Sequence, residues 1–347
     1  MKKFAMILMV GCIFSGVRAQ GHSEKVPYLT KSLAGETVSN ITCETSGGNI
    51  SVSGGHTTDA RVEVFITSGG TGKKETSPEE IRTLVKTEYD LDLVITSGKL
   101  TATAKPKNSH QVKKHWLSIS FKIYVPESVS VNLATSGGNI VLDDISGTED
   151  FTTSGGNLEL SKLSGKIKGA TSGGNIRLTG CRDEVVVTTS GGNIEATHST
   201  GAISVSTSGG SIILSDLNGT VTATTSGGNV AGTTVSGQLA AHTAGGNVSL
   251  KEMNCSIQTS TSGGNIDVSV ANPGKFISIS NSSGKVHLTL PKNKGMNLKF
   301  SARKISTPNL VNFSGTADNE QLNGSINGGG IPVSVDAGSG KIEVVFD

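Results

Sequence analysis

Between residues 135 and 290 the apolar side chains recur on a fixed beat of 18 residues. Counting from the threonine of a recurring Thr-Ser-Gly-Gly-Asn-Ile motif, position 6 is Ile140, Leu158, Ile176, Ile194, Ile212, Val230, Val248 and Ile266. Position 8 is mostly leucine. Position 15 is Ile167, Val185, Ile203, Val221, Leu239 and Ile257 in successive copies, and position 17 is small or apolar. The pairs 6/8 and 15/17 each show the period of two that marks a strand with one buried face. Each unit therefore carries two short strands, and positions 6, 8, 15 and 17 are expected to be apolar and buried in every regular coil.

The motif begins at Thr135, Thr153, Thr171, Thr189, Thr207, Thr225, Thr243 and Thr261, eight copies at constant spacing. An altered ninth copy starts at Asn281 after 20 residues, and earlier echoes start at Thr45, Thr67 and Thr96. Such periodicity predicts a solenoid, in which each coil buries its apolar face only against its neighbours. Gly-Gly-Asn turns one corner, with glycine expected there for its access to positive φ. Ser-Gly or Asn-Gly pairs such as Ser146-Gly147, Ser164-Gly165 and Asn218-Gly219 turn the other. The fold class predicted is all-β: a parallel β-solenoid of 18-residue, two-strand coils, right-handed by the crossover rule. Position 11 (Ile145, Leu163, Cys181, Leu217, Val235, Met253) plugs the second corner. Position 5 is Asn139, Asn157, Asn175, Asn193, Asn229, Asn247 and Asn265, with Ser211 as the exception. This column predicts a ladder in which each side-chain amide bonds its neighbour one coil away. Left-handed hexapeptide helices are excluded because positions 12 and 18 are polar. Calcium-binding nonapeptide repeats are excluded because an aliphatic residue stands where their aspartate belongs.

The ends depart from this beat. Residues 1–19 read as a signal peptide: Lys2 and Lys3, an apolar run from Phe4 to Phe14, then Val17-Arg18-Ala19 before cleavage. The competing reading is a lipoprotein acylated at Cys12. Residues 20–134 form an N-terminal β cap. Within it Ser77-Pro78-Glu79-Glu80 is a capping box that starts a short helix over about 78–87. Leu91 to Ala104 reads as a hairpin turning at Ser97-Gly98, and Trp116 to Val125 as a strand burying Leu117, Ile119, Phe121, Ile123 and Val125. Residues 135–290 are the regular solenoid. Residues 291–347 form a C-terminal cap whose last strand, Lys341 to Phe346, is heavy enough to plug the open end.

Charge narrows the partners. Removing residues 1–19 takes away Lys2, Lys3 and Arg18, so 30 basic residues become 27 against 28 acidic. A near-neutral chain argues against nucleic acid as a partner, and no later segment is apolar enough for an integral membrane helix. Cys43, Cys181 and Cys255 remain. The last two lie four coils apart, about 19 Å at about 4.8 Å per coil, too far for a disulfide.

No catalytic or metal constellation emerges, and no cofactor is implied. His22, His56, His110, His115, His198, His242 and His287 include no metal-ligand spacing. The Gly-Gly pairs precede no helix and so make no phosphate cradle. One binding constellation stands out: Lys105, Lys107, His110, Lys113, Lys114 and His115 lead into Trp116, the only tryptophan, and Trp116, Lys122 and Tyr124 share the outward face of one strand. Aromatics beside cations suit an acidic glycan, so Trp116, Tyr124, Lys113, Lys114 and Lys122 are the candidate binding residues. A solvated loop with an aromatic covering its neighbour strand is the competing explanation.

The passage Lys122-Ile123-Tyr124-Val125-Pro126, then Val129 and Val131, then TSGGNI with repeated Ser-Gly turns, resembles the DUF4097 family of putative adhesins over about Cys43 to Phe346. The resemblance implies a β-solenoid on a bacterial envelope with adhesive or envelope-stress roles and no enzymatic activity, and it brings no functional residues to carry over. Three functions stay open: a non-enzymatic structural or adhesive envelope module contacting a surface glycan or another envelope protein; an envelope-stress or regulatory binding protein; and a carbohydrate-active β-helix enzyme, which clustered carboxylates on a groove would favour. Each is exported, to the periplasm, the cell surface or the medium.

Overall fold

The computed structural model describes residues 26–69, 77–107, 116–308 and 310–347, and the expected signal peptide with Cys12 lies outside them. The expected solenoid is present. Leu158, Ile176 and Ile194 stand side by side on parallel strands, as do Ile167, Val185 and Ile203 on the facing sheet. All six are buried. The intervening side chains face outward, so burial alternates along every strand as the period of two requires. In the later coils both strands fuse through the second corner into single long strands, such as Ile212–Thr225 and Val248–Thr261.

Two interlocked hydrogen-bond columns hold the Thr-Ser-Gly-Gly-Asn corner. The threonine hydroxyl donates to the carbonyl of the second glycine one coil back, Thr189 Oγ1 to Gly174 O at 2.8 Å, and accepts from its own second glycine, Gly192 N, at 3.3 Å. The same bonds recur at Thr153, Thr171, Thr207, Thr225, Thr243 and Thr261. The asparagine ladder is present in a different form from amide pairing. Each side-chain carbonyl accepts the backbone N–H of the next coil's fifth residue: Asn139 Oδ1 from Asn157 N, Asn157 Oδ1 from Asn175 N, Asn175 Oδ1 from Asn193 N, Asn229 Oδ1 from Asn247 N and Asn247 Oδ1 from Asn265 N, all at 2.8 Å. At the exception, Ser211 Oγ takes over as acceptor for Asn229 N at 3.2 Å. A hydroxyl suffices because the ladder needs only an acceptor.

The glycines serve a different purpose from the one expected. Neither glycine of this corner has positive φ. The second is required by contact: a Cβ on Gly174 would sit 1.9 Å from Gly156 O, whereas one on Gly173 would meet nothing closer than 3.8 Å. Positive φ belongs to the second corner. Position 10 is left-handed in coil after coil, and Asp144, Lys162, His198, Asp216, Thr234 and Glu252 adopt it despite carrying side chains.

Two core positions depart from the expected apolar pattern: Thr259, at position 17, is buried and donates Oγ1 to Ala241 O at 2.8 Å, and the other carries an acid. Glu149 occupies position 15 of the first regular coil, between Val131 and Ile167 in register, fully buried with neither carboxylate oxygen hydrogen-bonded. Burial pushes its carboxyl up to about 8, so at neutral pH it is mostly an uncharged acid. Cys43, Cys181 and Cys255 are free thiols filling the core, and burial pushes each one up, Cys255 to about 12.

The ends are built out of sequence order. The coil of Asn40–Thr45 and Ile50–Ser53 lies directly beneath the first regular coil: Thr135 Oγ1 donates to Gly48 O, and Asn139 N to Asn49 Oδ1, both at 2.9 Å. The Thr45 echo is thus a true corner of the stack, while Thr67 lies inside a strand and Thr96 at a hairpin turn. Beneath that coil sit Lys99–Pro106 and Trp116–Tyr124, which come later in the chain. Antiparallel strands close this end: Tyr89–Thr96 on one sheet, Arg61–Gly69 and then Leu29–Ser32 on the other. The helix Pro78–Glu88, with its capping box, packs on Tyr89–Thr96. At the other end, Ile331–Asp336 and Lys341–Phe346 are slotted between the coil of Ile277–Asn281 and Lys285–Leu290 and the outer rung of Met296–Ser301 and Lys304–Ser306. The last strand is therefore an inner layer and not the outermost plug.

Candidate functional site

Trp116 and Tyr124 do share the outward face of their strand, but at its two ends. Eight residues at about 3.3 Å each separate them by about 26 Å. Tyr124 is covered: the Arg61 guanidinium lies over its ring at 3.8 Å, and His56 meets its edge at 5.0 Å and 81°. Lys122 Nζ lies 5.0 Å from the Phe65 ring, on the antiparallel neighbour. Trp116 stays 48% exposed, close to Gly47 at the first corner of the stack. Lys113 and Lys114 lie outside the described residues, as do His110 and His115. Lys105 is engaged by Glu44 at 2.7 Å. Of the predicted residues, the structure leaves Trp116 as the open aromatic.

Around Tyr124 the fold assembles a polar cluster with no obvious mark in the sequence. His56 Nδ1 lies 3.0 Å from Asp59 Oδ1 and its Nε2 lies 3.5 Å from Ser53 Oγ, while Arg61 joins Asp59 at 3.1 Å and Glu63 at 2.7 Å. The connectivity is that of a serine hydrolase triad. The serine contact, however, is longer than the 2.6–3.2 Å reach of a general base, and the exposed Asp59 shares its charge with Arg61. The His56 contact, then Arg61, holds the Asp59 carboxyl below its usual range. The cluster acts as a clamp over Tyr124.

A groove of about 380 Å³ opens where the repeat lengthens from 18 to 20 residues, lined by Asn265, Ile266, Asp267, Lys285, His287 and Glu343. Asp267, His287 and Glu343 stand in one outward column on three adjacent rungs. Lys285 bonds the Glu343 carboxylate, and His287 Nδ1 lies 3.7 Å from it. The Lys285 bond holds the Glu343 carboxyl below its usual range, the wrong direction for a general acid. Among the described residues no group of three or more His, Cys, Asp or Glu is placed to hold a metal ion, and no helix is long and apolar enough to cross a membrane.

Residues 179–345, just under half of the chain, match the family model described as Toastrack DUF4097. The resemblance to DUF4097 holds. The matched DUF4097 region contains the groove and the C-terminal cap, and stops short of Trp116 and Tyr124. Two solved structures align with most of the chain. One is a putative cell adhesion protein from Clostridium sporogenes ATCC 15579, 9% identical, covering 92% of this chain and 98% of that one with a TM-score of 0.19. The other is a putative adhesin from Bacteroides fragilis NCTC 9343, 16% identical, covering 73% and 96% with a TM-score of 0.37. At those scores neither likeness bears on fold or function, which rest on the geometry above. No curated protein matches the sequence.

Proposed function

We propose that this chain is an exported, non-enzymatic envelope module with a structural or adhesive role, whose solenoid presents Trp116 to a surface glycan or another envelope protein. The observation that carries this reading is the exposure of Trp116. It is the only tryptophan, it sits at the end of its strand, and, unlike Tyr124, it is covered by no cation or ring among the described residues. Tryptophan supplies more binding energy per residue than the short polar side chains the coils present. Lys113 and Lys114 immediately precede it in the sequence and add positive charge for an acidic partner.

The test compares attachment of the wild-type chain, Trp116→Ala and Lys113→Glu/Lys114→Glu to cells and to purified surface polysaccharide, with melting curves as the folding control. Trp116→Ala is expected to weaken attachment by roughly tenfold or more, and the charge reversal to weaken it most at low salt. Attachment unchanged in both variants, with normal melting, would remove Trp116 from the account.

A further inference from the structure

Where two charged side chains stand in register on neighbouring outward rungs, this fold sets opposite signs together. Glu159 faces Arg177, Arg177 faces Glu195, Lys166 faces Glu184, Asp150 faces Lys168, Glu63 faces Lys122 and Asp90 faces Lys105. The described residues break this rule in one column. Lys285 faces Lys341, and Lys341 faces Lys304, on three consecutive rungs of the C-terminal cap. All three are exposed. Neighbouring rungs are about 4.8 Å apart, and like charges directly opposite one another are unfavourable. Lys285 is relieved by Glu343. Lys341 and Lys304 have no acidic partner among the described residues.

Arg303 flanks the column, one residue before Lys304 in the chain. Its Nε donates to Ser339 O at 3.2 Å, two residues before Lys341. The local sequence reinforces the imbalance: residues 271–304 contain Lys275, Lys285, Lys292, Lys294, Lys299, Arg303 and Lys304 and no aspartate or glutamate. Lys304–Ser306 pairs as a strand with Lys341–Phe346, and on its other side Ile305 N donates to Asn319 O at 2.6 Å, so the column of lysines ends at Lys304.

We propose that Lys341, Lys304 and Arg303 form a binding site for an acidic polysaccharide. The lysines lie in line instead of converging on a point, which fits a polymer with regularly spaced carboxylates or sulfates better than a single small anion. Each anionic group seated between two lysines would remove the repulsion the column carries. The inner end is already neutralised by Glu343, which places the ligand on the outer two rungs. The site stands at the opposite end of the stack from Trp116 and does not depend on it.

The test measures binding of the full chain to polygalacturonate, dextran sulfate and neutral dextran. Polygalacturonate and dextran sulfate separate carboxylate from sulfate recognition. The expected result is binding to at least one acidic polymer, weaker at high salt, absent with neutral dextran, and reduced by roughly tenfold in Lys304→Gln/Lys341→Gln. Those substitutions remove repulsion, so melting should hold or rise, and Trp116→Ala should leave this binding intact. No binding to either acidic polymer, equal binding to neutral dextran, or undiminished binding by the double variant would overturn the proposal.

Discussion

In the middle of the molecule, strands follow one another in space as they do in sequence; at both ends they do not. Each regular coil rests on the coil 18 residues before it and repeats the same threonine and asparagine bonds. At the N-terminal end, residues 40–53 are clamped between residues 99–124 below and 130–143 above. At the C-terminal end, residues 331–346 are clamped between 277–290 and 296–306. Both ends thus bury a segment near a chain terminus as an inner layer and leave antiparallel strands outside. The difference shows two ways of stabilising one architecture. The middle gains from many identical local contacts, whereas the ends gain from a few non-local ones that block further stacking.

Among single substitutions, the largest expected effect lies within the repeat. Gly174→Ala forces a Cβ to 1.9 Å from Gly156 O, and the rung below is fixed by the same bonds, so a loss of several kcal/mol is expected. Gly173→Ala, one residue earlier, has ordinary clearance and should change stability by less than about 0.5 kcal/mol. Chemical denaturation of both variants checks the contrast. Equal losses would mean that the corner glycines serve backbone conformation after all.

A smaller and pH-dependent effect is expected at Glu149, where the regular coils begin. Its folded pKa of about 8 lies above the ordinary 4.5. Between those values the unfolded chain gives up the proton and the folded chain keeps it. Stability should therefore fall as pH rises through that window, by at most about 1.4 kcal/mol per pH unit, and level off above it. Glu149→Val installs the residue type that Val185 and Val221 supply in the same column. It should melt higher than the wild type at pH 8 and nearer to it at pH 5. Parallel melting curves across pH would show that the carboxyl is hydrated in solution.

The repeat made the middle legible: constant spacing fixes the register, and the apolar columns name the core. The asparagine column was readable as a ladder, but its bonding was not, because sequence cannot distinguish amide pairing from a side-chain carbonyl accepting a backbone N–H. The threonine column marks the start of every motif, but its bonding is not legible, since threonine reads equally well as an ordinary strand residue. Glu149 occupies an otherwise apolar column, one coil before Ile167. The ends were legible as elements, including the Ser77 cap and the Trp116 strand, but not as a stacking order. The coil at Thr45 meets its partner 90 residues later; its own TSGGNI motif marks it as a corner, but nothing local says which coil it stacks on. The distance between Trp116 and Tyr124 was readable from strand rise alone. The covering of Tyr124 was not, because Arg61 and His56 reach it from other segments.

The central claim, that the middle is modular and the ends are interleaved, is tested most directly by comparing the melting of two deletions of nearly equal size. Removing residues 189–206 excises one full period and rejoins Thr188 to Thr207 in register. Removing residues 331–347 takes out the clamped inner layer at the C-terminal end. The first variant is predicted to keep a cooperative transition only a few degrees below the wild type. The second is predicted to lose cooperative melting, because the apolar faces on both sides of the missing layer are left unmatched. A Δ331–347 chain that melts like the wild type, or a Δ189–206 chain that fails to fold, would contradict the account.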